Sequence, residues 1–247
     1  MADSPGIIAH RGVARHYPEN TRRAFDAAVE AGADAVEMDI QLTADAVPVV
    51  LHDPFLDRTT DYRGDISALT AAELGGVSAH EPRRFGERFR GEQVPELASL
   101  AEHLANLPFS KVFIEIKTEL LWHHSIPLAV QVVLAASQPL GERRVIISFS
   151  DTVLQVARSQ ADVAVGWVLP GYGVAMIERA ETLAPEFLFC NHHRLPPEPS
   201  ALPRGSWQWA AYEVDTPTLG RRLARRGIDW LESMCPEELR RGLLQGR

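Results

Sequence analysis

Short apolar runs rich in β-branched residues alternate along this chain with amphipathic segments, and no other feature limits the fold so tightly. Candidate strands occupy 6–10, 34–40, 47–51, 111–117, 144–148, 163–168, 186–190, 206–212 and 228–232. Helical patterns lie near 20–31, 95–107, 124–137, 151–160, 174–184, 216–226 and 236–245. Parallel strands need a crossover connection, usually a helix, so regular β–α alternation points to a parallel sheet. Roughly eight such units close into a (β/α)8 TIM barrel, which typically takes about 250 residues. The chain has 247, of which 45% are hydrophobic, enough for a sizeable core. The expectation is one domain over 1–247, with 47–51 as an additional short strand beside the second unit.

One stretch breaks the rhythm. Residues 54–94 are charged, poor in strand pattern and carry the basic cluster Arg83-Arg84-Phe85-Gly86-Glu87-Arg88. A loop this long inside a compact domain is usually functional or disordered. It reads as a small insertion after the second βα region.

The polar residues in the apolar runs are unusual for a core. His10 ends the first strand, Glu37 and Asp39 the second, His52 the short strand after it, and Glu115 and Lys117 the third full strand. Residues i and i+2 of a strand share a face, so Glu37 and Asp39 point the same way. Two acids on one buried face repel unless a cation sits between them. Barrel enzymes place their chemistry at the carboxyl ends of the strands, where all these residues would meet. Glu37, Asp39 and Glu115 offer hard oxygen donors, which suit Ca²⁺ or Mg²⁺ better than zinc. His10 and His52 are candidates for acid/base work, because histidine's unperturbed pKa of about 6.5 is easily moved by its neighbours. Arg11 and Lys117 would bind anionic oxygens, Arg11 as a planar fork and Lys117 as a point charge.

The net charge of −8 argues against a nucleic-acid partner. It also requires local cations wherever an anionic substrate binds. Cys190 and Cys235 have no ligand-like spacing; a disulfide between them stays open, but so few thiols suit a reducing compartment. The N-terminal MADSPG lacks the basic and apolar regions of a signal peptide, and no apolar stretch reaches transmembrane length. A cytoplasmic protein without stable membrane insertion is expected. The oligomeric state is not encoded in any of these features.

The motifs have a recognisable order. His10-Arg11-Gly12, Pro18-Glu19-Asn20-Thr21, Gly32-Ala33-Asp34, Glu37-Met38-Asp39, His52-Asp53, the Phe113–Lys117 strand and Ser148-Phe149 follow one another as in the glycerophosphodiester phosphodiesterase family. The resemblance runs from Ile7 to about Pro236 and is dense up to Lys117. It implies a metal-dependent hydrolase releasing glycerol 3-phosphate and an alcohol from a small glycerophosphodiester. It also implies metal ligation at Glu37, Asp39 and Glu115, and a lid over the barrel mouth at 54–94. Supporting roles fall to Glu19, which would reach the substrate glycerol or hold Arg11, and to Asn20, which with Thr21 would cap the first helix or brace its loop. Asp53 would orient His52 or shape the turn before Pro54. Rival readings are a lysophospholipase D, which needs an apolar channel, and a non-catalytic glycerophosphodiester-binding barrel.

The chain departs from the resemblance late. Tyr212-Glu213-Val214-Asp215 stands where the family often reads W-T-V-N, and Ser233-Met234-Cys235-Pro236 where it often reads T-D-x-P. Other conspicuous residues have ordinary readings. His192-His193 lie at a strand end, His123-His124 open a helix, and Arg221, Arg222, Arg225 and Arg226 form a solvated helix face. Of Trp207 and Trp209, one would pack inside the barrel.

Overall fold

The computed structural model describes residues 4–198 and 200–245; the first three residues of MADSPG and the last two of the chain lie outside them. Nine strands form one sheet: β1 (Gly6–His10), β2 (Ala35–Leu42), β3 (Pro48–Val50), β4 (Lys111–Ile116), β5 (Arg144–Ser148), β6 (Ala164–Val168), β7 (Phe187–Asn191), β8 (Gln208–Tyr212) and β9 (Trp230–Ser233). Eight of them pair in parallel and close a ring, because β1 bonds to both β2 and β9. The ninth, β3, runs antiparallel along β2, with Ile40 opposite Val50 and Leu42 opposite Pro48. This is the (β/α)8 barrel, with the short extra strand outside the ring.

The helices are α1 (Arg22–Glu30), α2 (Ala71–Leu74), α3 (Pro82–Phe85), α4 (Leu97–Leu104), α5 (Ile126–Ala136), α6 (Asp151–Gln160), α7 (Val174–Leu183), α8 (Pro217–Arg225) and α9 (Pro236–Gln245); α1 and α4–α8 lie in the crossovers, α2 and α3 in the insertion, and α9 follows the last strand. Their starts are set locally. Thr21, Ser150 and Thr216 each accept a hydrogen bond from a backbone N–H of the first turn, and Pro217 opens α8 where no donor is needed. Between β7 and β8 the described residues form a 3₁₀ turn at His192–Arg194 and irregular chain.

Alternation along the strands divides the apolar residues into two layers. Outward-facing side chains such as Ile7, Val36, Ile114, Ile146 and Leu188 pack under the helices. Inward-facing ones, including Ile8, Phe113, Val145, Phe187 and Phe189, fill the barrel. Phe113 is the hub, with the rings of Phe187, Phe189 and Trp230 edge-on at 5.0, 5.2 and 6.0 Å. This aromatic layer plugs the interior and forms the floor beneath the polar strand ends.

The tryptophan expectation needs correction. Trp207 and Trp209 are two residues apart, so they share a face; both pack in the outer layer, and Trp230 is the one inside. The arginine run on α8 is only partly a solvated face. Arg221 donates to the Gly242 carbonyl and Arg226 to that of Pro196, tying α8 to its neighbours. Cys190 and Cys235 are buried and free, so no disulfide joins them. Among the described residues, no helix is long and apolar enough to cross a membrane.

The 54–94 insertion has its own small core, in which Leu56, Ile66, Leu74, Val77 and Val94 pack with Val49 and Leu51. Polar contacts turn it toward the β1–α1 loop. Arg84 donates to the Ala14 carbonyl, and the Glu81 carboxylate accepts from the Glu19 N–H at 2.6 Å.

Candidate active site

The sheet register brings the strand-end residues together. His10 pairs with Glu37 across β1 and β2, and Asp39 with Glu115 across β2 and β4. Lys117 follows β4 directly. His52 lies two residues beyond β3, where its carbonyl accepts from Gln41 Nε2 at 3.0 Å and the Leu51 N–H donates to the Asp39 carbonyl at 2.9 Å. These six residues therefore gather on one side of the barrel mouth.

Arg11 reaches this cluster through an uncommon backbone conformation. Its φ is 58°, and the following Gly12 has φ 78°. A Cβ at Gly12 would lie 2.5 Å from the Ala24 backbone, so that step of the turn is closed to other residues. The turn sends the Arg11 guanidinium inward, where Nε lies 3.0 Å from Asp39 Oδ2 and Nη1 donates to Glu19 Oε1 at 3.0 Å. Lys117 Nζ sits 3.0 Å from Glu115 Oε1 and 3.4 Å from Asp39 Oδ1. Asp39 is thus held between two cations. Burial pushes its carboxyl upward, but Arg11 and then Lys117 outweigh that and hold it well below the usual carboxylate range.

Glu37 is placed otherwise. It is buried, Arg11 is its minor neighbour, and Oε1 has no hydrogen-bond partner. Burial first, then the nearby Asp39 and Glu232, push its carboxyl well above the ordinary value. Glu115 is also raised, chiefly by burial. One oxygen from each of Glu37, Asp39 and Glu115 lies within 4.8 Å of the others. An orphaned buried carboxylate oxygen beside two further acids is what a hard divalent cation would satisfy.

His10 is buried among charges, with Nε2 at 3.4 Å from Glu232 Oε1 and 3.8 Å from Glu37 Oε2. Burial, and then Arg11, lower its pKa to about 3, so the ring is neutral at neutral pH. His52 is more open, and its Nδ1 contacts Asp53 Oδ1 at 2.5 Å. Asn20, also at positive φ, donates to Asp39 Oδ2 at 2.9 Å, while Thr21 makes the helix cap.

Two participants, Glu232 and Arg58, were not among the residues singled out from the sequence, and a third, Glu213, stood there only as a departure from the family pattern. Glu232 on β9 is buried and, with His10 and Glu37, forms a second group of potential ligand atoms within 4.8 Å. Arg58, in the insertion, donates two hydrogen bonds to Glu19 and two to Asp53. Glu213 follows β8 at the cavity wall. The only signal for Glu232 was its spacing from Trp230, which puts both inside the barrel; Arg58 had none, because what matters is its bridge from nearby Asp53 to Glu19, which is remote in sequence.

These residues border a cavity of about 150 Å³. Its walls carry His10, Arg11, His52, Glu115, Lys117 and Glu232, with aromatic surface from Phe149, Phe189 and Tyr212. None of the lining residues belongs to 54–94, so the insertion bears on the site through Arg58 and Glu81 and not as its wall. His192 and His193 stack on one another with ring centres 3.8 Å apart and are not among the lining residues.

A sequence profile described as "Glycerophosphoryl diester phosphodiesterase family" matches residues 10–231. A glycerophosphodiester phosphodiesterase of Caldanaerobacter subterraneus is 40% identical over 142 residues, which are 58% of this chain and 56% of that protein. Human glycerophosphodiester phosphodiesterase 1 is 31% identical over 156 residues, 63% of this chain and 46% of that protein. The chain therefore spans about half the length of these curated relatives. In structure, it resembles an Oleispira antarctica phosphodiesterase solved with the product sn-glycerol-3-phosphate, with a TM-score of 0.85, 24% identity and 97% of both chains covered. It likewise resembles a glycerophosphodiester phosphodiesterase from Agrobacterium tumefaciens, with a TM-score of 0.76 at 26% identity over 95% of this chain and 98% of that one. With a profile match that begins at the first strand-end histidine and ends in the last strand, the chain belongs to the glycerophosphoryl diester phosphodiesterase family.

Proposed function

We propose that this chain hydrolyses glycerophosphodiesters, such as glycerophosphocholine or glycerophosphoethanolamine, to glycerol 3-phosphate and an alcohol. Ca²⁺ or Mg²⁺ would be held by Glu37, Asp39 and Glu115. The observation that carries this reading is the buried carboxylate trio beside Arg11 and Lys117, with Glu37 Oε1 unpartnered. A bound divalent cation supplies Lewis acidity toward a phosphate oxygen. Arg11 and Lys117 are already fixed by Asp39, so they meet the phosphate oxygens without reorganising, and their hold strengthens as charge builds in the transition state. Neutral His10 can accept a proton. His52, with Nδ1 donating to Asp53, would present Nε2 to the departing alcohol and, as the imidazolium, give up its Nε2 proton there to return to the neutral ring.

The product named for the Oleispira antarctica structure suits the same reaction. A lysophospholipase D would need a long apolar channel, and a cavity of about 150 Å³ whose wall mixes charged groups with a few apolar ones does not favour it. Two buried free thiols suit a reducing, cytoplasmic setting. The test is glycerol 3-phosphate release from both substrates with Ca²⁺, with Mg²⁺ and with chelator. Release that chelation abolishes supports the reading; no release with either metal overturns it. Full turnover of an analogue lacking the glycerol 2-hydroxyl would assign water, and not that hydroxyl, as nucleophile.

A further inference from the structure

Glu37 stands between two groups of donor atoms. Asp39 and Glu115 lie on the side of β2 and β4, while β1 and β9 bring up His10 and Glu232 on the other. The sheet register fixes this second group. Glu37 pairs with His10, and Glu232 pairs with Ile8, which shares a face of β1 with His10. His10, Glu37 and Glu232 are 7%, 1% and 4% exposed. The two groups differ in the cations they already hold. Arg11 and Lys117 pair with Asp39, and Lys117 also with Glu115. Among the described residues, no lysine or arginine side chain forms a salt bridge with Glu37 or Glu232; Glu37 Oε2 accepts from the Arg11 backbone N–H at 3.3 Å.

The spacing of the second group is that of ligands about an ion. His10 Nε2 lies 3.4 Å from Glu232 Oε1 and 3.8 Å from Glu37 Oε2. Both exceed the roughly 2.7–3.2 Å of an N–H···O hydrogen bond. Donors about 2.0–2.2 Å from one ion at tetrahedral angles lie about 3.3–3.6 Å apart. Glu37 Oε1, buried and without a hydrogen-bond partner, shows that the fold itself does not close the group. The donor set also differs in kind. An imidazole nitrogen beside two carboxylates suits Zn²⁺ or Co²⁺, whereas three carboxylates suit Ca²⁺ or Mg²⁺. We propose that His10, Glu37 and Glu232 form a second cation site, for an ion such as Zn²⁺ or Co²⁺, which shares Glu37 with the all-oxygen site. His10 then gives its Nε2 lone pair to the ion and can no longer accept a proton, so filling this site switches the reaction off. That consequence rests on the phosphodiesterase reading above; the binding does not.

The test titrates Co²⁺ into protein freed of metal and then saturated with Ca²⁺, following the visible absorption of the bound ion. One Co²⁺ should bind per chain without displacing Ca²⁺. Glu232→Gln should weaken Co²⁺ at least about tenfold more than it weakens Ca²⁺. Absence of Co²⁺ binding, displacement of Ca²⁺ by Co²⁺, or equal losses for the two ions overturns the proposal. Should Glu232→Gln not fold, cobalt-edge X-ray absorption on the wild type decides: an imidazole among the ligands supports the site, and an all-oxygen shell removes it. With Ca²⁺ present, saturating Zn²⁺ should lower glycerol 3-phosphate release from glycerophosphocholine at least about 100-fold. Unchanged release with the site filled overturns the switch. If no diester is cleaved with any metal, the reaction assigned above fails, and the Co²⁺ titration still decides the site.

Discussion

Arg58 links the two halves of the catalytic arrangement, and removing it should cost both stability and rate. Its guanidinium donates to Glu19 at 2.8 and 2.7 Å and to Asp53 at 2.6 and 3.1 Å. Glu19 in turn accepts from Arg11, and Asp53 contacts His52. A continuous line of polar contacts therefore runs from Arg11 through Glu19, Arg58 and Asp53 to His52. The side chain of Glu19 is 6% exposed, so its hydrogen bonds to Arg58 count near the charge-assisted value of about 2 kcal/mol. The Asp53 end is more open, with Asp53 27% and Arg58 41% exposed, and contributes about 0.5 kcal/mol after screening. Glu19 keeps Arg11, which holds the loss below the roughly 3–5 kcal/mol of a buried charge stripped of all partners. Arg58→Ala should therefore destabilise by about 2–3 kcal/mol in urea unfolding. Released, Asp53 no longer fixes the His52 ring, and kcat should fall about 10- to 100-fold. Arg58→Lys can serve one carboxylate but not both and should recover only part of each loss. An Arg58→Ala protein within twofold of wild type in kcat/KM, and within about 0.5 kcal/mol in stability, would refute the coupling.

Other expectations follow from the same geometry. His10→Ala and His52→Ala should each lower kcat by about 10²- to 10⁴-fold while circular dichroism and melting stay near wild type; a variant at wild-type rate loses its assigned role. The chelated protein should melt at lower temperature as pH rises from about 5 to about 8. The reason is that burial and neighbouring acids raise Glu37 and Glu232, and a raised acid favours the fold only while protonated. Added Ca²⁺ or Mg²⁺ should flatten that slope, and a slope indifferent to metal would count against the site. Phe113→Ala opens a hole at the centre of the inner aromatic layer and should cost about 3–5 kcal/mol by urea unfolding; a loss under about 1 kcal/mol would contradict the packing.

What the sequence made legible is what strand periodicity controls. His10, Glu37, Asp39 and Glu115 could be placed on one rim because a two-residue repeat and a carboxyl-end rule are both local properties. The barrel was readable for the same reason. Arg58 was not, since its value comes from joining Asp53, five residues away, to Glu19, which meets it only after the insertion docks. The insertion's own packing was hidden because Leu56, Ile66, Leu74 and Val77 follow neither helical nor strand spacing. Trp207 and Trp209 show a subtler limit. Their spacing fixed that they share a face, but which face depends on register with β7, where Trp209 pairs with Leu188 of the outer layer.

The late departures from the family pattern can be understood as one adjustment. Met234 stands where the family pattern often has an aspartate, and Asp215 reaches this strand end from beyond β8. It accepts from the Ser233 hydroxyl at 2.9 Å, the Met234 N–H at 3.0 Å and Arg15 at 2.8 Å. That strand end also bears on the charge of the site, because Glu232 lies just before it. Glu37, Asp39, Glu115 and Glu232 face Arg11 and Lys117, which leaves two negative charges in excess where solvent is largely excluded. Burial of that kind is tolerated by taking up protons or by taking up a counter-ion. Without metal, the raised carboxyls of Glu37 and Glu232 mark the proton solution. A divalent cation held there would offset the excess instead, with Arg11 and Lys117 still fixed by Asp39. Under the proposed function, a chain with a net charge of −8 would then draw a phosphodiester into its mouth, because the field there would be set by the filled site and not by the surface around it.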